Sequence, residues 1–265
     1  DFDDGKAISK REIKSYYRSI DFFLRVRNEI HYLTEKKTDV LQLDLQKNLA
    51  MHLGYKHEDE TDITQRFMRD YFLHATNIYN YSEIIFKRCL QLEKPYIAKV
   101  ITSLTQKDLG NGFISKDSEL HFKEEIEEIF SSGPQLLLTI FEICIDKSLE
   151  LSSQLKQQIR LNLKIFDNEF VRSTPIREML FKTFNRPNSE KILRQMHEVG
   201  VLGKILPHFE EIHCLVRYDN YRRYTADEHS LRMIRFLEEL ESPEGTELAE
   251  LSSIFKKTNS KDILK

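Results

Sequence analysis

The chain has 265 residues, with 40 Lys and Arg against 43 Asp and Glu, so its formal net charge is −3 at pH 7. Abundant but balanced charge argues against a general nucleic-acid binder, which carries a basic excess, and no nucleic-acid partner is expected. A length of this order holds one large domain or two small ones. Gly and Pro are scarce, Trp is absent, and Leu, Ile, Glu and Lys dominate, which favours helix. Cys89, Cys144 and Cys214 are widely spaced and odd in number, so neither a disulfide framework nor a paired-Cys metal site is expected and the cytoplasm is the simplest location. The opening residues are too charged for a signal peptide. The most apolar run, residues 136–145, contains Thr139 and Glu142 and is too short to span a bilayer, so no membrane partner is expected.

The first element reads as a helix with Ile13, Tyr17, Ile20, Leu24, Arg27 and His31 on one face, at steps of three and four. A second is expected over about 40–53, with Leu41, Leu45, Leu49 and His52 on its stripe and Gly54 beyond its end, where a left-handed residue stops a helix. The third is the longest. Its stripe runs Ile63, Phe67, Tyr71, Ala75, Ile78, Ser82, Ile85, Cys89 and Leu92, and Asp62 with Gln65 resembles a capping box. Residues 109–122 break the pattern: Gly110-Asn111-Gly112 and Lys116-Asp117-Ser118 flank short apolar runs, consistent with a small hairpin. Pro134 falls at a helix start. Further helices are expected over 134–146, 152–165, 175–184, 189–199 and 201–205, with Pro207 as punctuation. The last are placed at 226–240, at 244–257 and from Ser260 onward. The fold class is therefore all-α, with a possible short β-hairpin near 109–122.

Polar residues interrupt these stripes. Arg27 and His31 fall inside the first apolar stripe, and a buried guanidinium needs a carboxylate partner. Asp44 beside the second stripe is the expected partner, which makes Arg27, His31 and Asp44 candidates for bracing between helices. Arg25 projects elsewhere and is expected in solvent or toward a neighbouring domain. The segment 218–231 reads Tyr-Asp-Asn-Tyr-Arg-Arg-Tyr-Thr-Ala-Asp-Glu-His-Ser-Leu. Thr225 and Glu228 have capping-box spacing, so a helix is expected from about Ala226, with Asp227 and Glu228 favouring its dipole. His229 then shares a face with Met233, Phe236 and Leu240 and is expected to point inward, as a core histidine or a metal ligand. His208, His213 and Cys214 lie close together without a recognised ligand spacing. Asp1-Phe2-Asp3 has the spacing of a paired-acid metal site but no strand before it.

The 218–231 pattern resembles the opening of the HD domain in bifunctional protein-PII uridylyltransferase/uridylyl-removing enzymes, the GlnD family. Other blocks fit the same family in its order. Phe23-Leu24-Arg25-Val26-Arg27 with His31 is similar to one. Asp39, Leu41, Leu43, Asp44 and Gln46, followed by Ala50, Leu53, Gly54 and Tyr55, are similar to a second. Phe67-Met68-Arg69 with Tyr71 and Ala75, and Met196 with Gly200-Val201-Leu202-Gly203 and Pro207, are similar to two more. Arg222 stands where family members often have His.

The resemblance implies a parent with a nucleotidyltransferase domain, a helical domain, an HD hydrolase domain and ACT domains. Residues 1–205 correspond to the helical linker and 206–265 to the first HD helices. It implies transfer of UMP from UTP to the PII signalling protein, and later removal, in nitrogen metabolism. A divalent metal (magnesium or manganese) and UTP belong to that parent, and no cofactor is expected for this fragment. Expected partners are PII and adjacent domains of the same polypeptide. His229 corresponds to the family's first metal ligand, only with ligands beyond the chain end, because no His-Asp pair follows it here. No catalytic residue is expected, and Arg25, Arg27, His31, Asp44 and Gln46 are structural or interdomain candidates. The alternative is a non-enzymatic helical interaction scaffold.

Overall fold

A computed structural model describes residues 10–56, 60–93, 106–123, 130, 133–216, 224–241 and 251–253, with backbone only at 10–11, 60–61, 87–93 and 241. The fold is mostly helical with one small sheet. By packing it divides into two compact units, residues 1–93 with 212–227, and residues 94–211 with 228–265. The division expected at residue 205 follows family pattern, whereas packing assigns the chain from 212 to 227 to the unit that holds the first helices.

The first unit contains α1 (Lys10–Thr34), a 3₁₀ turn (Leu43–Leu45), α2 (Gln46–His52) and α3 (Glu60–Glu93). Val26 and Ile30 of α1, Leu49 and Ala50 of α2, and Ile63, Phe67 and Met68 of α3 form its core. Burying a side chain such as Phe67 stabilises by about 1.5–3 kcal/mol. Toward the start of α1 the seam changes character. Ser19 lies 2.9 Å from His74 Nδ1, Phe22 stacks on His74 at 4.3 Å and Tyr16 stacks on Tyr81 at 4.3 Å. Burial lowers the His74 pKa, favouring the neutral ring that this aromatic seam accommodates.

The buried face of α1 is not the expected one. Tyr17 is 67% and Leu24 50% exposed, while Ser19, Val26 and Ile30 are buried. This helix carries apolar residues on two faces, and the periodicity selected the solvent face. The second helix is shorter than expected because residues 38–42 are not helical, and Thr38 Oγ1 accepts from Val40 N at 3.3 Å. Its end is as expected: Gly54 has φ +92° and Tyr55 N returns to Ala50 O at 3.0 Å, a left-handed stop that glycine adopts without strain. Asp62 is not a cap. It lies inside α3 and pairs with Arg66 at 2.9 Å. The side chains of Cys89 and Leu92 lie outside the described residues.

The second unit opens with the sheet β1 (Lys107–Gly110), β2 (Phe113–Lys116), β3 (Glu119–Phe122) and β4 (Glu150–Leu151), in that order. The first three strands are antiparallel, with Ile114 opposite His121, and β4 runs parallel to β3. Asp117 and Ser118 both take positive φ, 52° and 64°, which is what a two-residue turn matched to strand twist requires. The expected hairpin thus exists as β2 and β3, extended by β1 and by a two-residue strand that pattern alone cannot mark.

Helices α4 (Gln135–Lys147), α5 (Ser153–Leu161), α6 (Asn168–Val171), α7 (Thr174–Phe184), α8 (Ser189–Glu198), α9 (Val201–Ile205), α10 (Pro207–Glu211) and α11 (Ala226–Glu241) follow, with a 3₁₀ turn at Leu163–Ile165. Asp167 starts α6 by accepting from Phe170 N at 2.8 Å, a side-chain cap. Gly200 (φ +80°) turns α8 into α9, and a Cβ there would lie 2.9 Å from Leu163 Cδ1. The short α6 and α10 were not expected. Pro207 begins α10 rather than ending a helix, as a proline at a first helical position can. Phe113 and Leu120 of the sheet meet Ile140, Phe141, Leu155, Ile159, Ile176, Met196 and Leu231 in one broad core. Residues 251–253 are helical, while the rest of the helix expected over 244–257 and all of that expected from Ser260 lie outside the described residues.

Candidate functional site

The motif at the start of α11 places three ionisable side chains in succession, and the structure gives each a different environment. Asp227 is only 3% exposed. Its Oδ2 accepts from the Cys214 amide at 3.1 Å and lies 2.9 Å from His213 Nδ1. Cys214 has φ +54°, and Ala226 N donates to Leu215 O at 2.8 Å, which fastens the 212–216 segment to the helix start. The hydrogen bond to Asp227, then that to Cys214, outweighs burial and raises the His213 pKa to about 10. At neutral pH the pair is therefore imidazolium and carboxylate. Cys214 Sγ is 3.9 and 3.8 Å from the two ring nitrogens, at the long end of a sulfur hydrogen bond. Cys214 is buried, and the arrangement is structural.

Glu228 does not close a capping box. Its carboxylate accepts from Arg194 Nη1 at 2.7 Å and from Arg232 Nε at 2.7 Å. Burial pushes its pKa up, but these two guanidinium bonds prevail and the net shift is downward. Arg194 also donates to Glu190 at 2.6 Å, so one guanidinium joins α8 to α11. Further along, Glu238 Oε1 accepts from both the amide and the hydroxyl of Ser189 at 2.6 Å. The two links fix α11 by charge-assisted bonds, which are stronger than neutral ones.

His229 is exposed, as are Met233 and Phe236, whereas Leu240 is buried. The inward orientation expected for His229 is therefore corrected. The helix is turned so that Leu231 and Ile234 enter the core, which leaves the 229–233–236 face to solvent. Among the described residues His229 belongs to no cluster of three ligand-type side chains. A single imidazole holds a divalent ion poorly, since hydrolytic sites need several ligands and an open water position.

The N-terminal candidates are also redistributed. Arg27 Nε pairs with Asp39 Oδ1 at 2.7 Å, with both side chains more than half exposed, and His31 Nε2 is 3.7 Å from the same oxygen. The expected Arg27–Asp44 pair is not formed. Asp44 and Arg25 are exposed, and Gln46 is buried. The reason is again the phase of α1, which turns Arg27 outward to the 35–40 connection. Glu29, not singled out from sequence, meets His52 of the second stripe at 2.6 Å. Asp1, Asp3 and Arg222 lie outside the described residues.

Sequence reasoning missed Arg194, Glu190 and Glu238. The spacings Glu190–Arg194 and Glu228–Arg232 carry the signal of neighbours on a helix face. Nothing in the sequence marks Arg194 and Glu228 as partners.

The fold and site thus define a mostly helical module in which the acids of the α11 motif fasten the structure and its histidine faces outward. Comparison with known proteins places that module. The profile for GlnD PII-uridylyltransferase matches residues 1–86, and the profile for the third domain of uridylyltransferase GlnD matches residues 113–205. The chain belongs to the GlnD uridylyltransferase family.

Among curated relatives it is 26% identical over 256 residues to the bifunctional uridylyltransferase/uridylyl-removing enzyme of Bradyrhizobium sp. (strain ORS 278). It is 28% identical over 257 residues to that of Bradyrhizobium sp. (strain BTAi1 / ATCC BAA-1182). It is 26% identical over 259 residues to that of Nitrobacter hamburgensis (strain DSM 10229 / NCIMB 13809 / X14). Each match covers 93% of this chain and 27% of the relative. No solved structure matches. Among the described residues no helix is long and apolar enough to cross a membrane.

Proposed function

We propose that this chain is the helical part of a bifunctional uridylyltransferase/uridylyl-removing enzyme of nitrogen signalling, that it orients a nucleotidyltransferase domain and an HD hydrolase domain, and that alone it carries out neither reaction. The observation that carries the reading is the order of the two family matches along one chain, residues 1–86 and then 113–205. The α11 start supports it. Asp227 and Glu228 are engaged by His213, Arg194 and Arg232, so the motif's acids serve to hold the helix rather than to activate water. In the complete enzyme PII is the protein partner, UTP the nucleotide and a cytoplasmic location the natural one. Magnesium or manganese supplies Lewis-acid chemistry there. His229 is available as one ligand of such an ion, with the others coming from the HD domain beyond residue 265.

The test is intact mass spectrometry of a PII protein incubated with this chain, UTP and magnesium. No addition of UMP is expected, and no removal from a PII already carrying it. A mass change above the blank in either direction overturns the reading. In a longer protein with a complete HD domain, His229→Ala is expected to abolish bound metal, measured by elemental analysis, together with UMP removal, while sparing UMP addition. Retained metal and hydrolysis would make His229 an ordinary surface histidine.

A further inference from the structure

A cleft in the second unit lies apart from the α11 motif and has no part in the function proposed above. It is lined by the end of α4, the start of β4, the end of α7 and the start of α8, and holds about 520 Å³ of empty space open to solvent. An apolar floor with a few placed polar groups is the composition that small-molecule sites favour. Burial sorts its lining into two layers. Cys144, Ile145, Leu149 and Ile192 are buried and form the floor, while Arg186 and Lys191 are exposed and stand at the rim. Burial pushes the Cys144 thiol up to about 12, so the floor is uncharged at neutral pH. Glu150 is the one acid of the lining; Asp146 beside it is shared by Arg186 and Lys182, and with Asp146 and Lys182 both counted the rim carries one net positive charge.

The polarity of the site follows from what is already bonded. The first amide of α8 and the Ser189 hydroxyl are filled by Glu238, so the helix start offers an incoming anion little there. Arg186 is held by Asp146 at 3.4 Å, with both side chains about half exposed. Such surface pairs contribute little, so a ligand carboxylate can take its place. Gln195 closes the back wall: its Oε1 accepts from Leu151 N at 2.6 Å and its amide donates to Leu149 O, so it is fixed by β4 and its approach.

We infer that this cleft binds a small amphipathic monocarboxylate, with its apolar body against Ile145, Leu149 and Ile192 and its carboxylate at Arg186 and Lys191. A dianion would exceed the net charge of the rim, and a cation would be repelled by it.

The test is methyl NMR of the whole chain, labelled at isoleucine, titrated with phenylacetate, and with phenethylamine as the charge-reversed probe. Phenylacetate is expected to shift the Ile145 and Ile192 methyls saturably, and phenethylamine to bind at least about tenfold more weakly, the scale of losing a charge-assisted contact. The double variant Arg186→Ala/Lys191→Ala alters only exposed side chains. It is expected to weaken phenylacetate by about tenfold or more with the melting temperature little changed. Ile192→Trp, checked by circular dichroism, fills the floor and is expected to abolish the shifts. The inference is overturned if the two probes bind alike, if the double variant binds as the parent does, if the shifts fall on isoleucines elsewhere, or if none saturates. None of these outcomes depends on uridylyl transfer.

Discussion

The two units bury apolar surface in different ways. In the first, two long helices and a short one share a narrow seam, and only the side of each helix facing that seam is covered. Tyr17, Tyr32, Tyr79 and Phe86 of α1 and α3 remain more than 60% exposed. In the second, a sheet and several short helices approach one core from many directions, and Phe113, Phe141, Leu155 and Ile159 lose their entire surface. A long helix pairs one stripe of roughly 100° or more with its neighbour, whereas short elements enclose a side chain from every side. The first unit therefore makes up its seam with specific pairs, Tyr16 on Tyr81 and Phe22 on His74, and with the part-buried ion pair His213–Asp227 on the segment returning to it.

The sharpest way to break the comparison is to open one core at a time. Phe67→Ala and Phe141→Ala each remove a fully buried ring and should each cost about 3–5 kcal/mol. Hydrogen exchange followed by mass spectrometry is expected to show Phe67→Ala deprotecting α1–α3 while the sheet and α5 keep their protection, and Phe141→Ala doing the reverse. Uniform deprotection in both variants would mean that the chain unfolds as a single body.

The ion pair comes next in size. Asp227→Ala removes the acceptor of the Cys214 amide and the carboxylate that keeps His213 protonated, and should cost about 1–3 kcal/mol near neutral pH. The folded His213 pKa, about 10, lies above its ordinary value of about 6.5. Its contribution is therefore complete below about pH 6.5 and declines as pH rises toward 10. Urea melts should show the difference in stability between the parent and His213→Gln shrinking across that interval. A difference independent of pH would mean that the imidazole is neutral throughout.

The smallest effects are expected at two positions that pattern made prominent. Arg27→Ala removes an exposed ion pair and should cost under about 1 kcal/mol. His229→Ala should fall within about 0.5 kcal/mol of the parent, as for an ordinary surface substitution. A loss of several kcal/mol at Arg27 in the same melts would show it braced against the core.

Sequence alone located most long elements and several of their ends. The starts of α8 and α11, the whole of α9 and the stop at Gly54 fall where they were expected, because caps, glycine and proline act through bonds within a few residues. It also gave the hairpin, since a turn that needs positive φ leaves its mark in Asp-Ser and Asn-Gly pairs. The family was legible for a similar reason, in short blocks kept in order. Which face of a helix turns inward was not legible where both faces are apolar. Tyr17 and Leu24 of α1 and the 229–233–236 face of α11 were assigned to the interior, and both stand in solvent. Burial belongs to the partner surface as much as to the helix, and the partner is set by packing across long separations. The same reason applies to Arg27 with Asp39, to Arg194 with Glu228 and to Ser189 with Glu238. Local bonding wrote the elements into the sequence, while the roles of Asp227, Glu228 and His229 were decided only when tertiary packing chose which of three adjacent side chains to bury, which to pair and which to leave exposed.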